Sequence, residues 1–540
     1  MFARRAEIST IVALALVWLA APAKGDEVTL EPLGVVLPPE PLADILDEAA
    51  AEIVAHDPRT QRLFIVNVFK NRIDMADISD PSAPAYIGAI DLSPYGASPT
   101  NVAVRKWTRE LAVSVASDPR TDPGKVVFFT TDGAFLASVT VGALPDMLTY
   151  THDGARVVVA NEGEPSDDYT VDPEGTVSII DVPFGARWVR QSNVRTVDFR
   201  AFNGMEDLLR SAGVRIFGPG ASAAQDFEPE YLTLSTDSRK AWVTLQENNA
   251  IAEVDIRRGR VTNLIPLGYK DHSLARNKLD ASDRDGKINI ANWPVKGMYL
   301  PDAIAYHEGF LVTVNEGDAR AYPGFSEETR VGSVTLDSIA FPNAAELKAN
   351  ANLGRLRMTS APPSGKSADG VFSEIYSFGA RSFSIWSAQG DLVFDSGDEI
   401  EQLTAFTYPS NFNSTHAANE FDTRSDDKGP EPEGLTLGTI RGCTYAFIAL
   451  ERIGGVVVYN ITNPHSPAIA GYKNTRDFAG DPKSGTAGDL GPEGVVFIPR
   501  WQSPIGAPLL VLANEVSGTT RLFKVVAEGR CFGEDKDDED

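Results

Sequence analysis

The sequence has few of the residues that build zinc centres and disulfide frameworks. Its 540 residues include two cysteines, Cys443 and Cys531, and six scattered histidines. Neither the cysteine spacing nor any nearby histidine fits a Cys/His metal site, which needs clustered ligands. Two states remain open for the cysteines in an oxidising compartment: a single bridge, or two separate thiols.

Nucleophile motifs and positive charge are also scarce. No Gly-x-Ser-x-Gly segment occurs, which argues against a serine triad of the α/β-hydrolase kind. Lys and Arg number 49 against 75 Asp and Glu, giving a net charge of −26 and a pI near 4.7. Such a surface repels a phosphate backbone, so we predict no nucleic-acid partner.

Long hydrophobic runs are missing after the N-terminus. The run Ile11–Ala20 has about half of the roughly 20 residues that a membrane span needs. Arg4 and Arg5 precede it and the small-x-small sequence Ala-Pro-Ala follows it, as in secretory signal peptides. We therefore predict a signal peptide at residues 1–23 and an exported mature chain, periplasmic or secreted, without a membrane span.

Turn-forming residues, in contrast, are abundant, with 45 glycines and 35 prolines. Short β-branched runs occur in pairs, of which Arg62–Asn67 followed by Arg72–Ile78 is the first, and we count seven such units. Repeated antiparallel strands with turns between them are typical of β-propellers. We predict an all-β fold, a seven-bladed β-propeller with long rim insertions, whose ring is closed by an N-terminal strand at Val28–Leu33.

The predicted domain organisation is simple. One propeller domain spans residues 24–530, and residues 531–540 form an acidic tail. Four stretches do not fit blades and are expected to be loops or small insertions on the rims, where long loops often carry function. They cover residues 183–226, 257–298, 319–374 and 396–428.

Acidic residues recur at the corners of five predicted units. Each of these units begins its inner strand with proline and an acid, and ends its second strand with another acid. The first strand of a hairpin runs away from one end of the sheet, and the second strand returns to that end. Both acids are therefore expected at the same narrow end of the blade. The ten residues are our candidate metal ligands: Asp146, Glu162, Glu230, Glu247, Asp302, Glu316, Glu433, Glu451, Glu493 and Glu515.

The electrostatic repulsion within a ring of carboxylates must be offset by something. Two like charges about 8 Å apart repel by about 2 kcal/mol at an effective dielectric constant near 20. Water, raised pKa values, neighbouring arginines or hard cations could offset this repulsion, and Ca²⁺ prefers six to eight oxygen ligands. We predict Ca²⁺ as the cofactor. The alternative is that these acids accept backbone N–H bonds at strand ends without any metal.

Two arginines follow acids of this set. Arg320 comes four residues after Glu316, and Arg452 directly follows Glu451. A guanidinium beside a metal can bind phosphate or carboxylate in a bidentate manner, so both are candidate ligand-binding residues. The alternative is that each arginine pairs with its neighbouring acids.

A second acidic stretch, Leu279–Gly286, is similar to a calcium loop but departs from the EF-hand pattern. Ala281 occupies a ligand position, and no glutamate closes the loop. We interpret the stretch as a hydrogen-bonded Asp-rich turn. Asp422–Lys428 is a similar rim loop that could add ligands.

Four segments resemble a known family: Leu144–Pro165, Gly175–Asp181, Asn315–Arg320 and Gly429–Gly434. They are similar to the choice-of-anchor I domain family of exported bacterial β-propellers, whose members are described as like mesenchyme-specific cell surface glycoprotein or like alkaline phosphatase. The resemblance runs from about residue 30 to 527. It implies the propeller fold, and the phosphatase likeness adds a lead towards phosphate ester hydrolysis.

The sequence thus predicts an exported calcium-binding β-propeller that acts as an extracytoplasmic binding or scaffold module. The alternative is a calcium-dependent phosphoesterase, similar to an alkaline phosphatase or a phytase. The corresponding partners are an extracellular protein, a polysaccharide or a small phosphate ester. Whether the protein is an enzyme stays open at this point.

Overall fold

The chain folds from short antiparallel strands with few helices. The computed structural model describes residues 27–106, 108–529 and 531. The predicted signal peptide, and the predicted tail after its first residue, lie outside the described residues. The all-β prediction is confirmed. In the described part of the chain, no helix is long and apolar enough to cross a membrane.

Within the described residues, seven antiparallel sheets have four strands each, the repeating unit of β-propellers. Sheet 1 contains Val54–Asp57, Arg62–Asn67, Arg72–Asp77 and Ala85–Asp91. Sheet 2 contains Ser98–Val104, Glu110–Ala116, Pro123–Thr130 and Phe135–Ala143. Sheet 3 contains Pro145–Tyr150, Arg156–Asn161, Thr176–Asp181 and Val194–Asp198. Sheet 4 contains Pro229–Leu234, Lys240–Leu245, Ala250–Asp255 and Arg260–Pro266.

Sheets 5 and 6 follow the same strand order, with a long connection between the second and third strands of sheet 5, whereas sheet 7 takes its outer strand from the N-terminal end of the described chain. Sheet 5 contains Ile304–His307, Phe310–Val314, Phe383–Ser387 and Leu392–Asp395. Sheet 6 contains Pro432–Ile440, Cys443–Leu450, Val456–Asn460 and Ala468–Lys473. Sheet 7 contains Pro492–Ile498, Leu509–Asn514, Thr519–Ala527 and the N-terminal strand Val28–Val36. In this last sheet Val28 pairs with Ala527 and Val36 with Thr520.

Each sheet is buried on both faces, because a hydrophobic core lies between it and each of its neighbours. In the second strand of sheet 1, Phe64 and Val66 pack against sheet 2, whereas Leu63 and Ile65 pack against sheet 7. This alternation follows from the period of two along a strand. The first strand of each sheet also lies against the first strand of the next sheet, and that of sheet 7 against that of sheet 1.

The long insertions form a smaller structure of their own. Tyr269–Asp271, Lys296–Met298 and Tyr376–Ser377 form a three-stranded sheet. Three two-stranded sheets pair Ala321–Tyr322 with Phe325–Ser326, Glu328–Arg330 with Arg357–Thr359, and Thr335–Leu336 with Val371–Phe372. A separate core, which includes Leu279, Phe341, Leu353 and Met358, holds these insertions together.

The described helices are short and lie in the connections between strands. The α-helices are Glu206–Ala212, Ala223–Asp226, Ala344–Leu347 and Glu399–Thr407. The 3₁₀ turns are Leu42–Asp44, Ala186–Trp188, Gln191–Asn193, Arg200–Phe202, Val331–Ser333 and Pro482–Ser484.

The two cysteines form a disulfide, which settles the alternative that the sequence left open. Cys443 begins the second strand of sheet 6, and Cys531 follows the last described strand of sheet 7. The bridge closes a sequence separation of 88 residues. It ties the C-terminal segment to the buried start of the second strand of sheet 6.

Candidate functional site

Four of the five proline-acid pairs sit at β-bulges, where the first strand of a sheet changes its register; the fifth, Pro301-Asp302, precedes the first strand of sheet 5. Pro145 pairs with Asn161, and the pairing is then interrupted before Leu148. The same interruption follows the prolines at the start of sheets 4, 6 and 7. A bulge adds one unpaired residue and re-aims its side chain. The acid after each of these four prolines is thereby turned away from the ladder, a feature that the sequence pattern alone does not reveal.

Glycines bring neighbouring first strands unusually close together. A Cβ atom on Gly434 would lie 1.9 Å from the Glu493 carbonyl oxygen, and one on Gly494 would lie 2.5 Å from the Glu52 carbonyl oxygen. Only glycine fits such a close approach. Gly434 and Gly494 directly follow Glu433 and Glu493. Each glycine lets its strand approach the first strand of the next sheet, so Glu433, Glu493 and Glu52 lie on three successive first strands.

Six acids from these first strands form what we call the inner carboxylates: Glu52, Asp146, Glu230, Asp302, Glu433 and Glu493. Four of them line one cavity of about 40 Å³ together with Thr100, Asn101 and Tyr231. Glu52 was missed by the sequence analysis because sheet 1 has alanine where sheets 3 to 7 have proline before the acid. The cavity can hold water or an ion, but it is far smaller than the roughly 300 Å³ of a usual ligand pocket.

The inner carboxylates have little compensation within the described chain. Among the described residues, no ion pair or side-chain hydrogen bond reaches the carboxylates of Asp146, Asp302 or Glu493. One carboxylate oxygen each of Glu52, Glu230 and Glu433 is buried without any hydrogen-bond partner. A buried acceptor without a donor is costly, so these oxygens call for a partner such as a cation or water.

Burial and mutual repulsion raise the pKa values of the inner carboxylates. Burial, and then the charge of Glu164, raises the pKa of Asp146 to about 7. Burial raises the pKa of Glu433, and the charges of Glu451 and Glu493 add to it. The pKa of Glu230 rises for the same reasons. The pKa shifts of Glu230 and Glu433 show that charges on neighbouring sheets repel these two carboxylates.

Five predicted acids form an outer set at the ends of the second strands: Glu162, Glu247, Glu316, Glu451 and Glu515. Burial raises the pKa values of Glu247, Glu316 and Glu515 to about 7. Burial also raises the pKa of Glu162, and the neighbouring Glu164 adds to the effect. These acids therefore share the poorly solvated setting of the inner carboxylates.

Part of the outer set is neutralised by cations, several of which the sequence analysis missed. Lys428 is hydrogen-bonded to Glu316 and lies 3.3 Å from the Glu431 carboxylate. Arg452 donates from Nε to Glu431 at 2.9 Å and pairs through Nη1 with Glu451 at 2.7 Å. Oxygens of Glu316, Glu431 and Glu451 lie within 4.8 Å of one another.

Glu431 is the hub of this cation cluster. Burial alone would raise its pKa, but Lys428, Arg424 and Arg452 together hold the pKa well below its usual range. Arg424 donates from Nε to the Glu431 carboxylate at 2.8 Å. Glu431 is therefore ionised and fully partnered, in contrast to Glu433 two residues later.

A small pocket of about 160 Å³ opens beside this cluster. Four cationic side chains line it, those of Arg357, Arg424, Lys428 and Arg452, together with acids such as Asp318 and Asp427. The sequence pattern identified only Arg452 of these four, because the others come from insertions that the topology brings to the end of the second strands.

Arg320, the other predicted ligand-binding arginine, is buried in a separate ionic network. Its Nη1 donates to Asp226 at 2.7 Å and its Nε to Glu228 at 3.2 Å. Phe217 stacks on its guanidinium at 4.5 Å. The side chain is 2% exposed, so its fork is directed to protein acids rather than to solvent.

Relatives of this chain are found by sequence and by structure. Over 188 residues it is 32% identical to Gigasin-3a of Magallana gigas, and over 323 residues it is 25% identical to the mesenchyme-specific cell surface glycoprotein of Strongylocentrotus purpuratus. These matches cover 33% and 51% of this chain, and 66% and 41% of the two relatives' own lengths.

Among solved structures, the β-propeller domain of Cps50 (Swd1) from Myceliophteria thermophila matches 91% of this chain and 99% of that domain, with a TM-score of 0.44 and 8% identity. The model of the choice-of-anchor I domain matches residues 52–464. These residues cover sheets 1 to 5, three strands of sheet 6 and eight of the ten predicted acids, all but Glu493 and Glu515. The resemblance carried by the Pro-acid and Asn-Glu-Gly segments is confirmed, and the chain belongs to the choice-of-anchor I domain family.

Proposed function

We propose that this protein is an exported calcium-binding β-propeller that acts as an extracytoplasmic binding or scaffold module. The observation that carries the proposal is the set of inner carboxylates, which converge from different sheets without a basic partner. The buried and unpartnered oxygens of Glu52, Glu230 and Glu433 are the part of this set that most needs a cation.

The proposed architecture is a seven-bladed ring closed by the N-terminal strand. Its support is the circular order of contacts between first strands, in which sheet 7 meets sheet 1. The pairing of Val28–Val36 with Thr519–Ala527 supports closure, because the outer strand of sheet 7 comes from the opposite end of the described chain. Such closure hides sheet edges and gives rigid support to the inner carboxylates.

The proposed location is extracellular. It is supported by the family, by the name of the cell surface glycoprotein relative and by the predicted signal peptide. A disulfide between Cys443 and Cys531 is consistent with it, because disulfides persist in oxidising compartments.

The donor set fits a hard cation. All six inner carboxylates offer oxygen and none offers sulfur or imidazole nitrogen, which is the ligand chemistry of Ca²⁺. Glu52 and Glu433, each with a buried unpartnered oxygen, would hold the ion together with Glu493, and Asp146, Glu230 and Asp302 would complete the set. When bound, the cation would supply the positive charge that these side chains lack, and so stiffen the centre of the fold.

Thermal unfolding of the metal-stripped mature chain tests this proposal. A ligand that binds only the native state stabilises it by about 2.7 kcal/mol at 100 times its Kd, so millimolar Ca²⁺ should raise the Tm by a few degrees. Glu433→Gln should remove most of this shift, whereas the same change at the exposed Glu346 should leave it intact. An unchanged Tm of the wild-type chain with Ca²⁺ would reject the proposal.

The second candidate, a calcium-dependent phosphoesterase, is favoured by one observation. The pocket lined by Arg357, Arg424, Lys428 and Arg452 offers cations to a phosphate beside the close carboxylates of Glu316 and Glu451. Turnover of p-nitrophenyl phosphate is measured on the same samples. Calcium-dependent turnover that Glu451→Gln abolishes would favour the enzyme, and its absence leaves the binding module.

A further inference from the structure

A surface of different character lies at the end of the sheets opposite the inner carboxylates. In these antiparallel sheets the connections after the first and third strands lie at one end, and the connection after the second strand lies at the other. Residues 105–109 follow the first strand of sheet 2, and residues 182–193 follow the third strand of sheet 3. Asp146, in contrast, lies at the start of the first strand of sheet 3, at the other end.

Both connections are basic, although the chain as a whole is acidic. Together they contain five Lys and Arg residues and no Asp or Glu, whereas the chain carries a net charge of −26. Lys106, Arg109 and Arg187 are exposed, and their side chains form no ion pair or hydrogen bond with any described residue. Arg190 donates from Nη1 to the carbonyl oxygens of Arg187 and Val189, which are neutral groups. The charges of these cations are therefore not neutralised within the described chain.

The acids in the neighbouring turns have partners of their own. Glu110 pairs with Arg105 at 2.6 Å, and Asp132 pairs with Arg62 at 2.7 Å. Asp153 accepts hydrogen bonds from a hydroxyl and a backbone N–H of its own turn. The cations of the two connections are consequently in excess at this end of sheets 2 and 3.

Arg105 holds the two connections together. Its Nη2 donates to the carbonyl oxygen of Val182 at 3.1 Å. Glu110, its ion-pair partner, accepts the backbone N–H of Ala186 at 2.9 Å. Lys106 directly follows Arg105 in the sequence, so it lies beside the second connection.

Two aromatic side chains project between the cations of the second connection. Ala186 and Val189 are buried in the core between sheets 2 and 3, and they fix this segment to the propeller. Phe184 and Trp188, in contrast, are 84% and 56% exposed. Large apolar side chains that are exposed together and bordered by polar ones mark an interaction surface.

Two polar side chains that would suit a neutral ligand are used inside the chain. Gln191 accepts from the backbone N–H of Thr140 and donates to its carbonyl oxygen, both at 2.9 Å. Asn193 Oδ1 accepts the backbone N–H of Arg190 at 2.9 Å. A neutral sugar needs such groups for its hydroxyls, whereas an anionic bilayer needs cations for its headgroups and apolar rings for its interface. The composition of this surface fits the bilayer.

We propose that this surface docks the protein on an anionic phospholipid bilayer. We call it the basic surface, and it consists of Lys106, Arg109, Phe184, Arg187, Trp188 and Arg190. The four cations would contact headgroup phosphates, and the two rings would enter the interface between headgroups and acyl chains. Docking of this kind does not depend on calcium at the inner carboxylates, which would face away from the bilayer.

The acidic charge of the rest of the molecule does not prevent such docking. The strand Thr176–Asp181 has six residues, so the two ends of sheet 3 are about 20 Å apart. This distance is more than twice the Debye length of about 8 Å at physiological ionic strength. A bilayer at the basic surface would therefore sense the nearby cations strongly and the inner carboxylates weakly.

The test is co-sedimentation of the full mature chain with vesicles of phosphatidylglycerol and phosphatidylcholine in equal amounts. EDTA is present, so that calcium cannot bridge acidic side chains to the lipid. The wild-type chain should bind these vesicles at about 0.05 M NaCl and lose most of this binding at about 0.5 M NaCl, because salt screens the cations. It should not bind vesicles of phosphatidylcholine alone.

Two double variants separate the charges from the rings. Lys106→Glu with Arg187→Glu should weaken binding at low salt by about tenfold or more, because each cation near an anionic surface contributes to binding. Phe184→Ser with Trp188→Ser should weaken it by about tenfold, because the rings no longer enter the interface. The substituted side chains are exposed, so an unchanged Tm should show that both variants fold.

A third double variant is the matched control. Lys287→Glu with Lys483→Glu makes the same change of charge at exposed lysines in the connections that precede sheets 5 and 7. It should bind the vesicles like the wild-type chain. Weakening equal to that of the Lys106 and Arg187 variant would show that net charge alone controls binding, and would overturn the basic surface.

The outcomes are independent of the calcium experiment. Salt-sensitive binding that both the charge variant and the aromatic variant lose supports the basic surface, even if Ca²⁺ leaves the Tm unchanged. Absence of binding at low salt overturns it, and so does equal binding of the wild-type chain and these two variants. Retention on immobilised polygalacturonate without vesicle binding would also overturn it, in favour of an acidic polysaccharide.

Discussion

At the residue scale, two glutamates of the same segment have opposite environments. Glu431 is buried among Lys428, Arg424 and Arg452, which hold its pKa low. Glu433 is surrounded by other acids, so burial and repulsion raise its pKa. The sequence Pro-Glu-Pro-Glu contains no sign of this difference. Lys428 and Arg424 precede Glu431 by three and seven residues, but only the folded chain shows that both pair with Glu431 and that Arg452 joins them.

This contrast predicts opposite effects of the same substitution. Glu431→Gln leaves three cations without their carboxylate and should lower the free energy of unfolding by about 3–5 kcal/mol, as when a buried ion pair is broken. Glu433→Gln removes a repelled charge and should raise the free energy of unfolding in chelator. Denaturant titrations of both variants in EDTA measure the two changes. Changes of the same sign would contradict this account of the two sites.

At the element scale, much of the fold could be predicted from short runs such as Arg62–Asn67. Strands rich in β-branched residues and the turns between them depend on local chemistry, so the sequence shows them directly. The positions of the ten acids at strand ends could be predicted for the same reason. The bulges after the prolines could not, since a bulge depends on the register with the second strand. Glu52 lacks the proline signal, and Lys428 ends an insertion that only the folded chain brings to Glu316, 112 residues earlier.

The disulfide links two elements, and its removal should be costly. A bridge across 88 residues restrains the unfolded chain, and loss of such a bridge commonly costs about 2–5 kcal/mol. Cys443→Ala combined with Cys531→Ala should therefore lower the free energy of unfolding by that amount. Denaturant unfolding measures it.

Reducing agent provides the control for this pair. It should destabilise the wild-type chain and leave the double variant unchanged, because the variant has no bridge to break. Equal stability of the two proteins under oxidising conditions would show that the bridge contributes nothing to holding the C-terminal segment.

At the scale of the whole molecule, charge and fold act together. The chain carries a net charge of −26, and four of its acids line one small cavity at the first strands. Self-repulsion of this kind destabilises a compact state. The fold therefore favours conditions under which these acids are protonated or are paired with cations.

The dependence of stability on pH follows from the direction of the pKa shifts. Asp146, Glu247, Glu316 and Glu515 have folded-state pKa values of about 7, above the values near 4 of unfolded acids. The native state thus binds more protons than the unfolded state between these limits, so stability falls as pH rises through this window. In EDTA, the free energy of unfolding should decrease from pH 6 to pH 8.

Calcium should flatten this dependence, because a cation at the inner carboxylates takes the place of the protons that raised pKa values keep on Asp146 and Glu433. The stabilisation by Ca²⁺ should consequently be largest at pH 8 and smallest at pH 6, where protons compete for the ligands. Denaturant titrations at pH 6, 7 and 8, in EDTA and in millimolar Ca²⁺, measure both slopes. Parallel curves would mean that protons and calcium act at different places, and the raised carboxylates would then not be the calcium ligands.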